Sequence, residues 1–181
     1  MMKTTWAILA SVCICGLSAL CAEEKADQPF ISSVSIGAGM TLHDDINIYR
    51  LAVRKDSKYT FLENPTGWLS GYYEASLGCW SKKDELVCVG AISPVFVYYF
   101  GEPTWTVQPY IEAGIGVSCI SDTRIATRDL ATAFQFEDRV GAGVKIKYVD
   151  ISARYMHYSN ASIAAPNNGM DIFIATVGYC F

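Results

Sequence analysis

His157, Ser159 and Asp171 are the residues of this chain whose types suit acyl-transfer chemistry. A serine hydroxyl is a weak nucleophile until a base removes its proton, and imidazole is the side chain best matched to that task near neutral pH. The base works best when an acid holds its other ring nitrogen. His157 and Ser159 stand two positions apart in Tyr155-Met156-His157-Tyr158-Ser159-Asn160, and Asp171 follows twelve residues after the serine. On an extended strand this spacing sends both side chains to one face, about 6.5 to 7 Å apart at Cα, within reach of a hydrogen bond. For a His-x-Ser met at random, an interfacial histidine and a strand-end serine would be the plainer reading, so the surroundings must carry the argument.

Those surroundings read as strands. Alternating runs of membrane-strand length, separated by polar or glycine-containing breaks, predict strands near 32–41, 46–54, 67–80, 86–99, 107–119, 133–147, 150–160 and 170–181. Eight is an even number suited to a small antiparallel barrel. In the fifth run Val107, Pro109, Ile111, Ala113, Ile115 and Val117 alternate with Gln108, Tyr110, Glu112, Gly114, Gly116 and Ser118; in the sixth, Phe134, Phe136, Val140, Ala142, Val144 and Ile146 oppose Gln135, Glu137, Arg139, Lys145 and Lys147. A soluble sandwich would bury the apolar face, whereas a membrane barrel turns it to lipid and fills its lumen with polar groups. Glu137 and Arg139 are then expected to pair inside with each other or with Glu112 and Glu74, as structural ion pairs.

Composition limits the other architectures. A basic start at Lys3, an apolar run from Trp6 to Leu20 and small residues at Ala19 and Ala22 form the pattern of a cleaved signal peptide over residues 1–22, cut after Cys21 or Ala22. The run is short for a membrane anchor, and Leu20 is bulky for a lipoprotein signal ending at Cys21. Residues 23–181 suffice for one domain and contain no further stretch of the ~20 apolar residues a membrane helix needs. A chain this rich in Tyr, Phe, Val and Ile can enter a bilayer only as a closed barrel. The acidic balance, 18 acidic against 14 basic residues with no basic cluster, excludes nucleic acid as the expected partner. Cys79, Cys88, Cys119 and Cys180 match no zinc or redox spacing. Cys79 and Cys88 flank a short loop and could be bridged or free; Cys119 and Cys180 fall at opposite strand ends.

With both termini on the periplasmic side, the 161–169 loop is extracellular. Ile151, Ala153, Tyr155, His157 and Ser159 share one face of the seventh strand, and Asp171, Phe173, Ala175, Val177, Tyr179 and Phe181 share one face of the eighth. Both are the lipid-facing sets. About ten residues of tilted strand lift Ser159 roughly 25 Å above the preceding turn, to the outer-leaflet interface, where an outward polar group costs only ~0 to 1 kcal/mol. Asp171 is expected opposite the region of Ser159. Asp138, which interrupts an apolar face of the sixth strand, is expected near Ser159 from the other side as a second acid or a substrate-orienting group.

The terminal run Asp171–Phe181, ending on an aromatic residue, resembles the last strand of bacterial outer-membrane proteins. His157-Tyr158-Ser159-Asn160-Ala161, then Pro166-Asn167-Asn168-Gly169 and Asp171, together with Phe134-Gln135-Phe136-Glu137-Asp138-Arg139-Val140-Gly141, resembles the outer-membrane lipid A 3-O-deacylase (PagL) family over residues 133–181. The resemblance implies an all-β, eight-stranded transmembrane barrel in the outer membrane of a Gram-negative bacterium. It would hydrolyse the 3-position ester of lipid A, the anchor of lipopolysaccharide, without a metal or other cofactor, among outer-membrane lipids. It further implies Ser159 as nucleophile, His157 as base, Asn160 as an oxyanion-stabilising residue and Asp171 as the acid, although that family's acid is usually Glu, one methylene longer. A homodimer is left open. A non-enzymatic barrel of adhesin or structural type and a soluble lipocalin-like binder are the competing readings, and the loop at 120–132 has no assigned role.

Overall fold

The structure, a computed structural model, describes residues 23–24 and 29–181; the expected leader at 1–22 lies outside the described residues. Eight long strands form the wall: β1 (Ser33–Thr41), β2 (Asn47–Asp56), β3 (Gly67–Lys82), β4 (Glu85–Phe100), β5 (Val107–Ile120), β6 (Phe134–Ile146), β7 (Val149–Ser159) and β8 (Met170–Cys180). Each pairs antiparallel with the next, and β8 pairs with β1, so the sheet closes with no free edge. The short strand Leu62–Asn64 adds to the start of β3. All eight strands lie within two residues of their expected bounds. The 121–133 loop is not featureless, since Arg124–Ile125 pairs with Arg128–Asp129 as a small hairpin.

Alternation sets the two faces. Ile36, Leu51, Leu77, Ile92, Ile111, Ile115, Val140, Ile151, Phe173 and Val177 point outward and are exposed, a band a bilayer would cover. At the end where β1 begins and β8 finishes, Tyr148 stacks on Tyr179 and Tyr179 meets Phe181 edge-on, with ring centroids 6.1 and 5.5 Å apart. This aromatic collar belongs at a membrane interface and has no counterpart requirement in a soluble barrel.

Inside, charges meet at mid-height. Arg139 bonds Glu74 at 2.8 Å and Glu137 at 2.5 Å; Arg50 bonds Glu137 at 2.8 Å and Glu74 at 3.0 Å; Arg154 reaches Glu112 at 2.6 Å. Three arginines thus balance three carboxylates, away from water, as buried charges must. Tyr158 Oη also donates to Glu137 Oε2 at 2.5 Å, which ties β7 to the network from its inward face.

The lumen is not polar throughout, contrary to expectation. Its outer half is an apolar plug of Ile46, Ile48, Trp80, Val87, Met156, Met170, Ile172 and Ile174, roofed by Ile125 and Leu130 from the 121–133 loop. Because no water-filled channel is needed, packed side chains close this end more favourably than solvated polar groups. Cys79 and Cys88 face each other across β3 and β4 with their thiols free, while Cys119 is outward near the outer end of β5 and Cys180 is buried near the opposite end of β8.

Glu137 is the most heavily engaged carboxylate of the network, accepting also from Ser93 Oγ at 2.7 Å. Glu137→Gln leaves Arg50 and Arg139 under-compensated in a dry interior, at a cost of about 3 to 5 kcal/mol. The expected result is a lower urea midpoint and less folded barrel by heat-dependent gel mobility; an unchanged midpoint would show that the network does not hold the wall together.

Candidate active site

Ser159 is the last residue of β7, and β8 begins after the 160–169 loop. The period-2 alternation that buries Asp150, Ser152, Arg154, Met156 and Tyr158 turns His157 and Ser159 outward, both half-buried. Asp171 is outward on β8 in the same way. The three share the lipid face at the outer end of the barrel.

Register corrects two placements. Asp171 lies directly opposite His157 rather than near Ser159, and Asp138 on β6 is also opposite His157, from the other side. The residue facing Ser159 on β6 is Phe136, which with Phe134 in edge contact at 5.1 Å lays an apolar wall beside the hydroxyl. For Asp138 and Phe136 the reason is the two-residue β6–β7 turn Lys147–Tyr148, with Lys147 at φ 52°, which fixes that pairing; the Asp171 placement belongs to the β7–β8 register across the 160–169 loop.

The His157–Asp171 pairing lets the short acid reach: His157 Nδ1 and Asp171 Oδ1 are 2.7 Å apart. The contact is made from the direct cross-strand position. With Nδ1 engaged, Nε2 is the nitrogen left to exchange a proton with a substrate-side group. Tyr155 Oη donates to the same Asp171 oxygen at 2.6 Å, a contact that nothing in the spacing announced, because Tyr155 reads as one more lipid-facing aromatic.

Continuing the β7–β8 register one step past Tyr158–Met170 and His157–Asp171 brings Gly169 across from Ser159. Gly169 has φ +62°, and a Cβ built there would stand 3.0 Å from His157 Cε1 and 3.5 Å from Nε2. The imidazole edge therefore leans over Gly169, in the row of Ser159, and only a residue without a side chain leaves room for it. The hydroxyl of Ser159 makes no hydrogen bond among the described residues, so the expected bond to His157 is not formed in this structure.

Asn160 stands apart from this group. The alternation that turns Ser159 outward turns Asn160 inward, where it is fully buried. Its Nδ2 donates to Leu130 O at 2.9 Å and Ala164 O at 3.1 Å, which uses both amide hydrogens. In this structure it braces the turn after Ser159, where Ile163 N bonds Asn160 O at 3.0 Å, and an oxyanion role would require giving up one of those bonds.

The family model for lipid A 3-O-deacylase (PagL) matches residues 47–180. The chain belongs to the PagL family. It is 37% identical over 145 residues to the lipid A deacylase PagL of Pseudomonas aeruginosa, covering 78% of this chain and 82% of that protein. It is 42% identical over 89 residues to the lipid A deacylase PagL of Bordetella bronchiseptica, covering 49% and 47%. A solved structure, the crystal structure of the outer membrane enzyme PagL, superposes with a TM-score of 0.78 at 34% identity, covering 83% of this chain and all of that one. This PagL-family chain is therefore an outer-membrane β-barrel of a Gram-negative bacterium and an ester hydrolase, which removes the adhesin-type and lipocalin-like alternatives.

For this PagL-family barrel, Tyr155→Phe deletes one of the two hydrogen bonds on Asp171 Oδ1. The expected result is about a fivefold lower kcat, in line with a single charge-assisted hydrogen bond at a half-exposed site. Initial rates in detergent micelles check it; an unchanged kcat would mean that His157 alone holds the acid.

Proposed function

We propose that this chain hydrolyses the 3-position acyl ester of lipid A in the outer leaflet, with Ser159 as nucleophile, His157 as general base and Asp171 as the acid that orients it. The observation that carries the reading is the 2.7 Å contact between His157 Nδ1 and Asp171 on the lipid face, two residues below Ser159 on the same strand face. Family membership supplies the substrate, since the curated relatives are named lipid A deacylases.

In the proposed reaction, Ser159 Oγ attacks the ester carbonyl carbon while its proton passes to His157 Nε2. Asp171, bonded at Nδ1, stabilises the imidazolium. The tetrahedral species collapses, the bond to the sugar 3-oxygen breaks, and His157 returns its proton to that oxygen. Water, deprotonated by the same imidazole, then cleaves the acyl-serine and releases a 3-hydroxy fatty acid. Asp138, on the other flank of His157, acts as a substrate-orienting group, and Asn160 acts through the turn that follows Ser159. The outward site lets an acyl chain remain among outer-membrane lipids, against Phe134 and Phe136, while its ester reaches the serine.

The test is the lipid A mass profile of a Gram-negative host with and without the protein. Loss of one 3-hydroxyacyl group, confined to the 3-position by tandem fragmentation, is expected; an unaltered profile with folded protein present would overturn the assignment.

A further inference from the structure

Arg128 belongs to the small hairpin of the 121–133 loop. In the structure it joins three outer segments. Its Nε meets Asp44 Oδ2 at 2.6 Å, in the β1–β2 loop, while Nη1 donates to the carbonyls of Asn168 at 3.2 Å and Gly169 at 3.3 Å. Thr127 Oγ1 holds the other Asp44 oxygen at 2.6 Å. Beside it, Asp129 N donates to Asn168 Oδ1 at 3.1 Å, and Asn168 N donates to Asp129 O at 3.3 Å. A guanidinium can bond an acid on one edge and two carbonyls on another at once, which a lysine ammonium cannot do in a fixed plane.

The far end of this chain of contacts is the catalytic imidazole. Gly169, whose carbonyl Arg128 holds, lies beside the His157 ring edge, in the row of Ser159. We infer that Arg128, anchored by Asp44, is a positioning residue for ester hydrolysis: it fixes the height of the Asn168–Gly169 backbone and thereby the approach of His157 to Ser159. It touches neither Ser159 nor His157, so its effect runs through Gly169. The inference rests on the proposed roles of those two residues.

One feature favours positioning over generic loop support: a Cβ built at Gly169 would stand 3.0 Å from His157 Cε1, so the carbonyl that Arg128 holds belongs to the residue whose backbone lies beside the ring. The clamp is ionised under ordinary conditions: hydrogen bonds from Thr127 and then Arg128 hold the Asp44 carboxyl below its usual range, with Lys82 the other cation near it. A lowered folded pKa means that the pair is complete above the usual carboxylate range and is lost only as pH falls through the lowered value.

The test uses the full barrel in micelles, with two readouts: kcat and KM for lipid A, and the rate at which a small fluorophosphonate labels Ser159. The second probe reports nucleophile activation without any lipid A headgroup. Arg128→Ala is expected to lower kcat and the labelling rate together by about tenfold, the scale of a sub-ångström misplacement, with KM changed less than twofold and gel mobility unchanged. Asp44→Asn should give part of the same loss and add little to Arg128→Ala, and Arg128→Lys should rescue only partly. Unchanged kcat and labelling would overturn the inference, as would a loss confined to KM with normal labelling, which would make Arg128 a headgroup contact. If the wild-type chain is labelled yet leaves lipid A intact, the substrate assignment fails while the labelling rates still decide the role of Arg128.

Discussion

Ser159→Ala and His157→Ala are each expected to abolish release of the 3-linked acyl chain, by about a thousandfold or more, while the barrel still folds. The magnitude follows from losing covalent catalysis outright: without Oγ no acyl-serine forms, and without the imidazole the hydroxyl keeps its proton. Both residues lie outward at the strand end, outside the buried charge network and the apolar plug, so neither substitution removes a packing contact that closes the barrel. Heat-dependent gel mobility should therefore match the parent. Because the two residues act as a unit, the double variant should be no worse than either single one. Mass spectrometry of lipid A from expressing cells reads the outcome, and persistent deacylation in both single variants would remove Ser159 and His157 from the mechanism.

Asp171→Asn is expected to cost on the order of 10² to 10⁴ in kcat. An asparagine amide can donate to Nδ1, which favours the imidazole tautomer with its proton on Nε2, the form that cannot accept the serine proton. Asp171→Glu should fall between Asn and the parent: a carboxylate remains, but the longer arm must re-form the 2.7 Å contact at a different angle. Asp138→Asn supplies the contrast. Asp138 is equally close in register but makes no hydrogen bond to the ring among the described residues, so its loss should weaken substrate handling more than proton transfer. A full-rate Asp171→Asn chain together with an inactive Asp138→Asn chain would exchange the two roles.

The outward placement of His157, Ser159 and Asp171 was legible because side-chain parity is a local property. A strand repeats every two residues, so once residues 150–160 are read as a strand, His157, Ser159 and the facing apolar residues must share a face. The same rule, applied one residue further, sends Asn160 inward, where the structure finds its amide committed to Leu130 and Ala164. The apolar plug was not legible. In Ile172-Phe173-Ile174 both faces are apolar, so alternation of polarity vanishes where the lumen itself is apolar.

By itself, the sequence determined the class of the fold, the strand count and bounds, the face on which His157, Ser159 and Asp171 lie, and the ion pairing of Glu137 and Arg139. These follow from periodicity, which neighbouring residues carry. Only the tertiary structure decided that Asp171 and Asp138 both stand opposite His157, that Gly169 lies beside the imidazole, that Tyr155 bonds the acid and that Arg128 joins three loops. Register is set by a two-residue turn and by strands many residues distant, and a loop arginine declares its partners only when the closed barrel brings those loops together.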